Sequence, residues 1–281
     1  MKPSRFHYVR PRSIPEAVMA LQRRNSKVLS GGQSLTPLLS MRLASPDVLV
    51  DINGLTELSG IELRGSDLWI GAIARHQEVL THDLVKTHVP LIQQALAYVA
   101  HPVIRNRGTS VGSIAHADPA GELTAVAALL GARIHASGQQ GPREILAADF
   151  FVGPLESSLE HGELVTGVSF PVLDATWGSS CAEVARRHGD YALAGVCALV
   201  RVLDGLIVAA RISIFSVAGT PLVIDVMDVH EDPEKLNLKV QALIDPDTDI
   251  HATSDYRRQL VKTLVVQALT EARVHAELRQ S

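Results

Sequence analysis

The spacing of apolar positions changes period several times along the chain, and each change marks an element. Ser13-Ile14-Pro15-Glu16 has the form of a helix-starting capping box with proline in the first turn, and Ala17, Val18 and Leu21 continue one apolar helical face. Residues 27–30 read as a short buried strand that stops at Gly31-Gly32, and residues 35–43 return to helical spacing. A second buried strand, 48–52, closes at the turn dipeptide Asn53-Gly54. Residues 61–63 and 68–70 flank Arg64-Gly65-Ser66-Asp67 as a hairpin, and helical patterns follow around 76–80 and 91–99. Asp118-Pro119 reads as a helix start, because Leu123, Val126, Ala127 and Leu130 then lie at helical spacing before Gly131. Strands are expected at 133–136 and 164–170, and a linker at 171–178. Beyond it, two long β-prone runs, 193–203 and 206–215, meet at Asp204-Gly205, a hairpin signal. Helices are expected at 235–244 and 255–278, so the second part of the chain is α+β, with strands first and helices after.

Composition narrows the functional classes. A chain of 281 residues with 46% hydrophobic content can bury a large core. A net charge of −4, with no basic run, offers no general attraction to nucleic acid. The two cysteines, Cys181 and Cys197, lack metal-ligand spacing and are too few to hold an iron–sulfur cluster. Residues 1–12 are polar without a signal-peptide core, and no apolar run nears the ~20 residues of a membrane span. A soluble cytoplasmic protein that does not bind nucleic acid is expected.

Two segments carry the candidate chemistry: Ser30-Gly31-Gly32-Gln33-Ser34-Leu35, and the glycine- and hydroxyl-rich run from Arg107 to Pro119. A diphosphate needs several converging NH donors and no side chain in the way. Gly31, Gly32, Gln33 and Ser34 fit that need, as do Thr109, Gly112 and Ser113; the plain alternative for each segment is a tight turn. Asp118 or Glu122 could accept hydrogen bonds from a ribose or polyol, or serve only as a helix cap and a first-turn acid. His116 stands between alanines, as a ligand, a base or a satisfied core histidine. The run Arg186-Arg187-His188-Gly189-Asp190-Tyr191 could reach a cofactor or be a polar turn, and residues 225–234 read as a solvated acidic loop. No Ser-His-Asp order, carboxylate pair or Cys-His pair stands out. These residues alone point to a diphosphate cofactor and leave its identity open.

At these residues the chain resembles the FAD-binding medium subunits of molybdenum hydroxylases, a group that includes the carbon monoxide dehydrogenase medium chain and the flavin domain of xanthine dehydrogenase. The likeness runs through Phe6-His7-Tyr8-Val9-Arg10-Pro11, Gly31-Gly32-Gln33-Ser34-Leu35-Thr36-Pro37-Leu38, His101-Pro102-Val103-Ile104-Arg105-Asn106-Arg107-Gly108-Thr109, Ala115-His116-Ala117-Asp118-Pro119-Ala120-Gly121-Glu122 and Arg186-Arg187-His188-Gly189-Asp190-Tyr191-Ala192-Leu193, and reaches Tyr256-Arg257-Arg258-Gln259-Leu260. It implies an α+β fold: a vanillyl-alcohol-oxidase-type (PCMH-type) FAD-binding domain at 1–173, with subdomains of about 1–55 and 56–173, then a small α+β domain of carbon monoxide dehydrogenase flavoprotein type at 174–281. It places FAD on Ser30, Gly31, Gly32, Gln33, Ser34 and Leu35, and on Thr109, Ser110, Val111, Gly112 and Ser113. Asp118, Glu122 and the backbone near Leu164 would contact its adenosine or ribityl parts, and Asp190 and Tyr191 would approach the flavin.

The resemblance further implies an electron-transfer subunit with no catalytic residue or metal ligand of its own. It would work beside a small subunit carrying two [2Fe–2S] clusters and a large molybdopterin subunit, in a dimer of heterotrimers. The rival expectations are a free-standing flavin oxidase or dehydrogenase of the same fold and a flavin-free scaffold. One position departs from the family pattern: Thr109-Ser110-Val111-Gly112-Ser113 carries valine where relatives have the first of two glycines. A β-branched residue resists positive φ and adds bulk beside phosphate. The expectation is a locally shifted backbone with FAD retained, or weaker FAD binding.

Overall fold

The computed structural model describes residues 1–280. Near the N-terminus, β1 (His7–Val9), β2 (Ser26–Leu29) and β3 (Val48–Asp51) form a parallel sheet in the order β1-β3-β2. Helix Ile14–Leu21 crosses between β1 and β2, and Ser13 caps it by accepting a 3.3 Å hydrogen bond from Glu16 N. The expected box is only half made, because the Glu16 carboxylate takes the amide of Arg12 instead of that of Ser13.

A five-stranded antiparallel sheet follows. It is built from β4 (Ile61–Arg64), β5 (Asp67–Gly71), β6 (Arg133–Gly138) and β7 (Gly141–Leu146), with a separate ribbon of β8 (Phe151–Gly153) and β9 (Glu156–Ser157) preceding its last strand, β10 (Leu164–Pro171). The order is β4-β5-β10-β6-β7, so the edge strand β7 carries proline and charge, as edges do. Between β5 and β6 run the helices His76–Thr81, Asp83–His88, Pro90–Leu96, Pro102–Arg105, Ser110–His116 and Glu122–Leu130. Two expectations are corrected here. The second glycine-rich segment is largely helix, and the helix expected from Asp118 begins at Glu122 with Gly121 as its cap. Asp118 instead holds a turn, accepting Ala120 N at 2.9 Å.

The remaining strands, β11 (Trp177–Ala185), β12 (Ala192–Leu203), β13 (Leu206–Phe215) and β14 (Leu222–Asp225), make an antiparallel meander. Asp204 and Gly205, at φ 50° and 76°, form the expected two-residue hairpin turn. Helix Ser254–Gln280 packs on one face so closely that a Cβ at Gly178 would lie 1.9 Å from Ala272 O. The sheet is covered on both faces, which explains why β12 carries no charged residue from Ala192 to Val200. Ala194, Val196, Ala198, Val200 and Val202 join the core under that helix, whereas Cys197 and Leu199 join the core of the preceding sheets. β11 starts at Trp177, so the expected linker shrinks to the residues between Pro171 and Trp177.

Candidate functional site

The chain leaves β2 at Leu29 and turns through Ser30-Gly31-Gly32-Gln33-Ser34 into helix Leu35–Met41. The two glycines serve different ends. Gly32 sits at φ +72°, where L side chains are strained. Gly31 is needed for space, because a Cβ there would lie 2.5 Å from Arg107 O and 2.6 Å from Gly108 Cα. Carbon contacts are optimal near 3.5–4.0 Å, so only glycine allows the two loops to touch backbone to backbone. Hydroxyls close the same seam, with Ser30 Oγ and Thr109 Oγ1 3.0 Å apart. The second loop is pinned by His76 N to Gly108 O at 2.9 Å and Ser110 N to Ala74 O at 3.1 Å. Among the described residues, the amides of Gly31, Gly32, Gln33, Ser34, Val111 and Gly112 donate to no protein acceptor.

Behind the loops lies a polar chain that sequence reasoning missed. Arg75 donates to Arg107 O and to Asn53 Oδ1, both at 2.6 Å. Asn53 Nδ2 in turn donates to Ser30 O at 2.8 Å and to Asp51 Oδ1 at 2.6 Å, and Asp51 accepts the Tyr8 hydroxyl. Burial opposes the Asp51 charge, but hydrogen bonds from Tyr8 and Asn53 outweigh it and hold its carboxyl below the usual range. In the sequence, Asn53-Gly54 carried only a turn signal and Arg75 carried none.

The loops open onto a cleft of ≈ 1200 Å³. Ser30, Gly31, Gly32, Gln33, Ser34, Leu35, Thr109, Val111, Gly112, Ser113, Asp118, Glu122, Leu164, Asp190 and Tyr191 all line it. Ser110, of the sequence-predicted set, does not line it; its hydroxyl faces inward, 3.2 Å from Nδ1 of the buried His76. Burial and the nearby Arg105 charge lower the His76 pKa to about 4, so that imidazole stays neutral at pH 7. His116 also lines the cleft, as do Ser157 and residues 159–162, whose composition gave no sequence signal. Asp190 and Tyr191 come from the β11–β12 loop, which turns at Gly189 (φ +84°) against Ala100 and His101.

Lys27 is the single Lys or Arg among the lining residues, against the acids Asp118, Glu122, Glu156, Glu160, Glu163 and Asp190. An anionic ligand here depends on backbone NH groups, not on a basic wall. Val111 lies in helix Ser110–His116, is not among the positive-φ residues, and buries its side chain in the main core at 1% exposure. The expected conflict between valine and a left-handed backbone does not arise. A Ser169–His135–Glu144 alignment, 2.8 and 3.5 Å, lies on the outer face of the five-stranded sheet with Ser169 5% exposed. None of its members lines the cleft, so it supplies no nucleophile there.

Glu122 opens helix Glu122–Leu130. Water reaches the cleft beside it, but protein surrounds the carboxyl on nearly all sides; burial first, then Asp118, push its pKa up to about 7. Glu183, with Oε2 buried and unbonded, is pushed up to about 8 by burial and by Glu122. Folded pKa values above the unfolded ones mean stability present below about pH 4.5 that is lost as pH rises through 7 to 8. Glu122→Gln should flatten the fall in thermal midpoint between about pH 5 and pH 8; an unchanged slope would contradict this. Val111→Gly should cost roughly 2–4 kcal/mol in denaturant unfolding, by lost packing and helix propensity, with no gain in flavin occupancy. A rise in occupancy would revive the idea that valine obstructs the cofactor.

Comparison with known proteins agrees with this geometry. Residues 4–173 match the family model described as "FAD binding domain in molybdopterin dehydrogenase". The glyceraldehyde dehydrogenase medium chain of Sulfolobus acidocaldarius is 37% identical, over 96% of this chain and 99% of that one. A chain of carbon monoxide dehydrogenase from Hydrogenophaga pseudoflava superposes with a TM-score of 0.94 at 32% identity, over 98% of this chain and 99% of that one. Quinoline 2-oxidoreductase from Pseudomonas putida 86 gives 0.92 at 32% identity, over the same shares. The chain belongs to the FAD-binding family of the molybdopterin dehydrogenases and is a medium-chain oxidoreductase component whose cofactor is FAD.

Proposed function

We propose that this chain is the electron-transfer subunit of a three-component molybdenum hydroxylase. It would stand between the two [2Fe–2S] clusters of a small subunit and a terminal acceptor, with a molybdopterin subunit oxidising the substrate and the whole forming a dimer of heterotrimers in the cytoplasm. The observation that carries the reading is the backbone contact of Gly31 with Arg107–Thr109, which sets two loops with free amides on one wall of a long cleft.

The chain's residues fit FAD. The amides of Gly31 to Ser34 and of Val111 and Gly112, with the hydroxyls of Thr109 and Ser113, would hold the diphosphate. Asp118, Glu122 and the backbone at Leu164 would take the adenosine and ribityl hydroxyls; near its pKa of about 7, Glu122 can donate as well as accept. Asp190 and Tyr191 would close on the flavin from the β11–β12 loop. Bound FAD supplies the redox chemistry, and the protein supplies position and electrostatics.

Other features favour a subunit over a self-contained enzyme. Cys181 and Cys197 are buried, 3.5 Å apart, and no group of three or more metal-ligating side chains occurs among the described residues. Clusters that feed the flavin would therefore sit on another chain. The relatives are named for glyceraldehyde, carbon monoxide and quinoline, compounds too unlike to share a pocket, which fits a substrate site outside the medium chain. No helix among the described residues is long and apolar enough to cross a membrane.

Gly31→Ala tests the clamp, because its methyl group would push the loops apart. FAD binding to the purified chain should weaken at least roughly tenfold, about 1.4 kcal/mol. Wild-type affinity in that variant would show that the diphosphate is held elsewhere.

A further inference from the structure

We propose that Arg75 and Asn53 form a strut that sets the gap between the two FAD-binding loops, making them positioning residues for the cofactor although neither lines the cleft. The proposal rests on the clamp reading above. Its geometry is a continuous chain of hydrogen bonds running from one loop to the other behind the seam. Arg107 O on the second loop accepts from Arg75 Nη1, Arg75 Nη2 donates to Asn53 Oδ1, and Asn53 Nδ2 donates to Ser30 O on the first loop, at 2.6, 2.6 and 2.8 Å. Asn53 is itself held, since Asp51 Oδ1 accepts both its backbone and side-chain NH at 2.9 and 2.6 Å. The strut thus ends on β3, a strand of the parallel sheet, and starts at the cap of helix His76–Thr81.

Two physical consequences follow. Carbonyl oxygens have the wrong polarity for a phosphate, and the strut engages one from each loop while the amides of Gly31 to Ser34, Val111 and Gly112 stay unpaired. The guanidinium also brings a fixed positive charge behind a cleft whose charged lining residues are mostly acidic. A planar fork reaches two acceptors at once, which a single ammonium on a shorter stem does not reproduce. Arg107 O is also the atom that a Cβ on Gly31 would strike, so the strut acts at the point where the loops meet.

The test uses the full chain, deflavinated and titrated with FAD, in Arg75→Gln, Arg75→Lys, Asn53→Ala and the Asn53→Ala/Arg75→Gln double variant, alongside Gly31→Ala. Arg75→Gln should weaken FAD binding roughly 10- to 100-fold, the range expected for losing hydrogen bonds to a charged group. Its apoprotein thermal midpoint should stay within about 3 °C of wild type. Arg75→Lys should recover the apoprotein midpoint yet remain at least about fivefold weaker for FAD, because it restores charge without the fork. Adding Asn53→Ala to Arg75→Gln should cost less than about a further twofold, since parts of one strut are not independent. The strut is overturned if Arg75→Gln binds FAD within twofold of wild type, if Arg75→Lys is fully restored, or if the two losses multiply. It is equally overturned if every loss of FAD is matched by collapse of the apoprotein. Retention in the Arg75 variants with loss in Gly31→Ala would sink the strut alone; retention in both would sink the clamp reading with it.

Discussion

The contact between Gly31 and the Arg107–Thr109 backbone is the constraint from which the rest of the site follows. It brings together segments about eighty positions apart, one leaving a parallel sheet and the other entering a helix in the connection between two strands of the antiparallel sheet. A backbone seam of this kind leaves no room for side chains, so the NH groups on either side remain free for a ligand. With little positive charge on the cleft wall, these amides are the groups suited to a diphosphate. Sheets, helices and the polar chain behind the loops act on function by keeping that seam closed.

The third sheet completes the site because its strands serve two cores at once. Alternate residues of β12 face helix Ser254–Gln280 and the preceding domain core, so the meander is joined to the flavin-binding half through shared apolar packing. Glycines make the fit possible: Gly178 admits the helix backbone, and Gly195 lies under the ring of Phe215. The β11–β12 loop, with Asp190 and Tyr191, is thereby carried to the cleft on a rigid support. Two acids with raised pKa values, Glu122 and Glu183, lie near this junction, where apolar packing crowds them.

Much of the fold was legible where local period decides structure. β2 and β3 of the parallel sheet, the 61–71 hairpin, the Asp204-Gly205 turn and the two last helices follow from apolar spacing and turn chemistry, whereas β1 lies in a stretch that read only as polar. β11 was not legible, because a helix pressed onto its face selects small residues: Gly178 ended the expected linker, and Ser180, whose hydroxyl donates to Glu271 of that helix, carried no strand signal. The start of helix Glu122–Leu130 was misplaced because Asp118-Pro119 imitates a helix cap, whereas the aspartate serves a turn. In the site, glycines and hydroxyls announced both loops, and the family likeness supplied the more distant lining residues. Ser110 was misplaced from the cleft to the interior, since neighbours in sequence turn to opposite sides once that segment is helical. The roles of Arg75 and Asn53 behind the loops were invisible because the loop atoms they hold are backbone carbonyls, which no sequence pattern displays.

The most direct test of a two-loop backbone clamp is an experimental structure of the chain with FAD bound. Diphosphate oxygens should lie about 2.7–3.2 Å from backbone nitrogens of both segments, Gly31 to Ser34 and Val111 to Gly112. A diphosphate held by one loop alone, by side-chain cations, or outside this cleft would contradict the account.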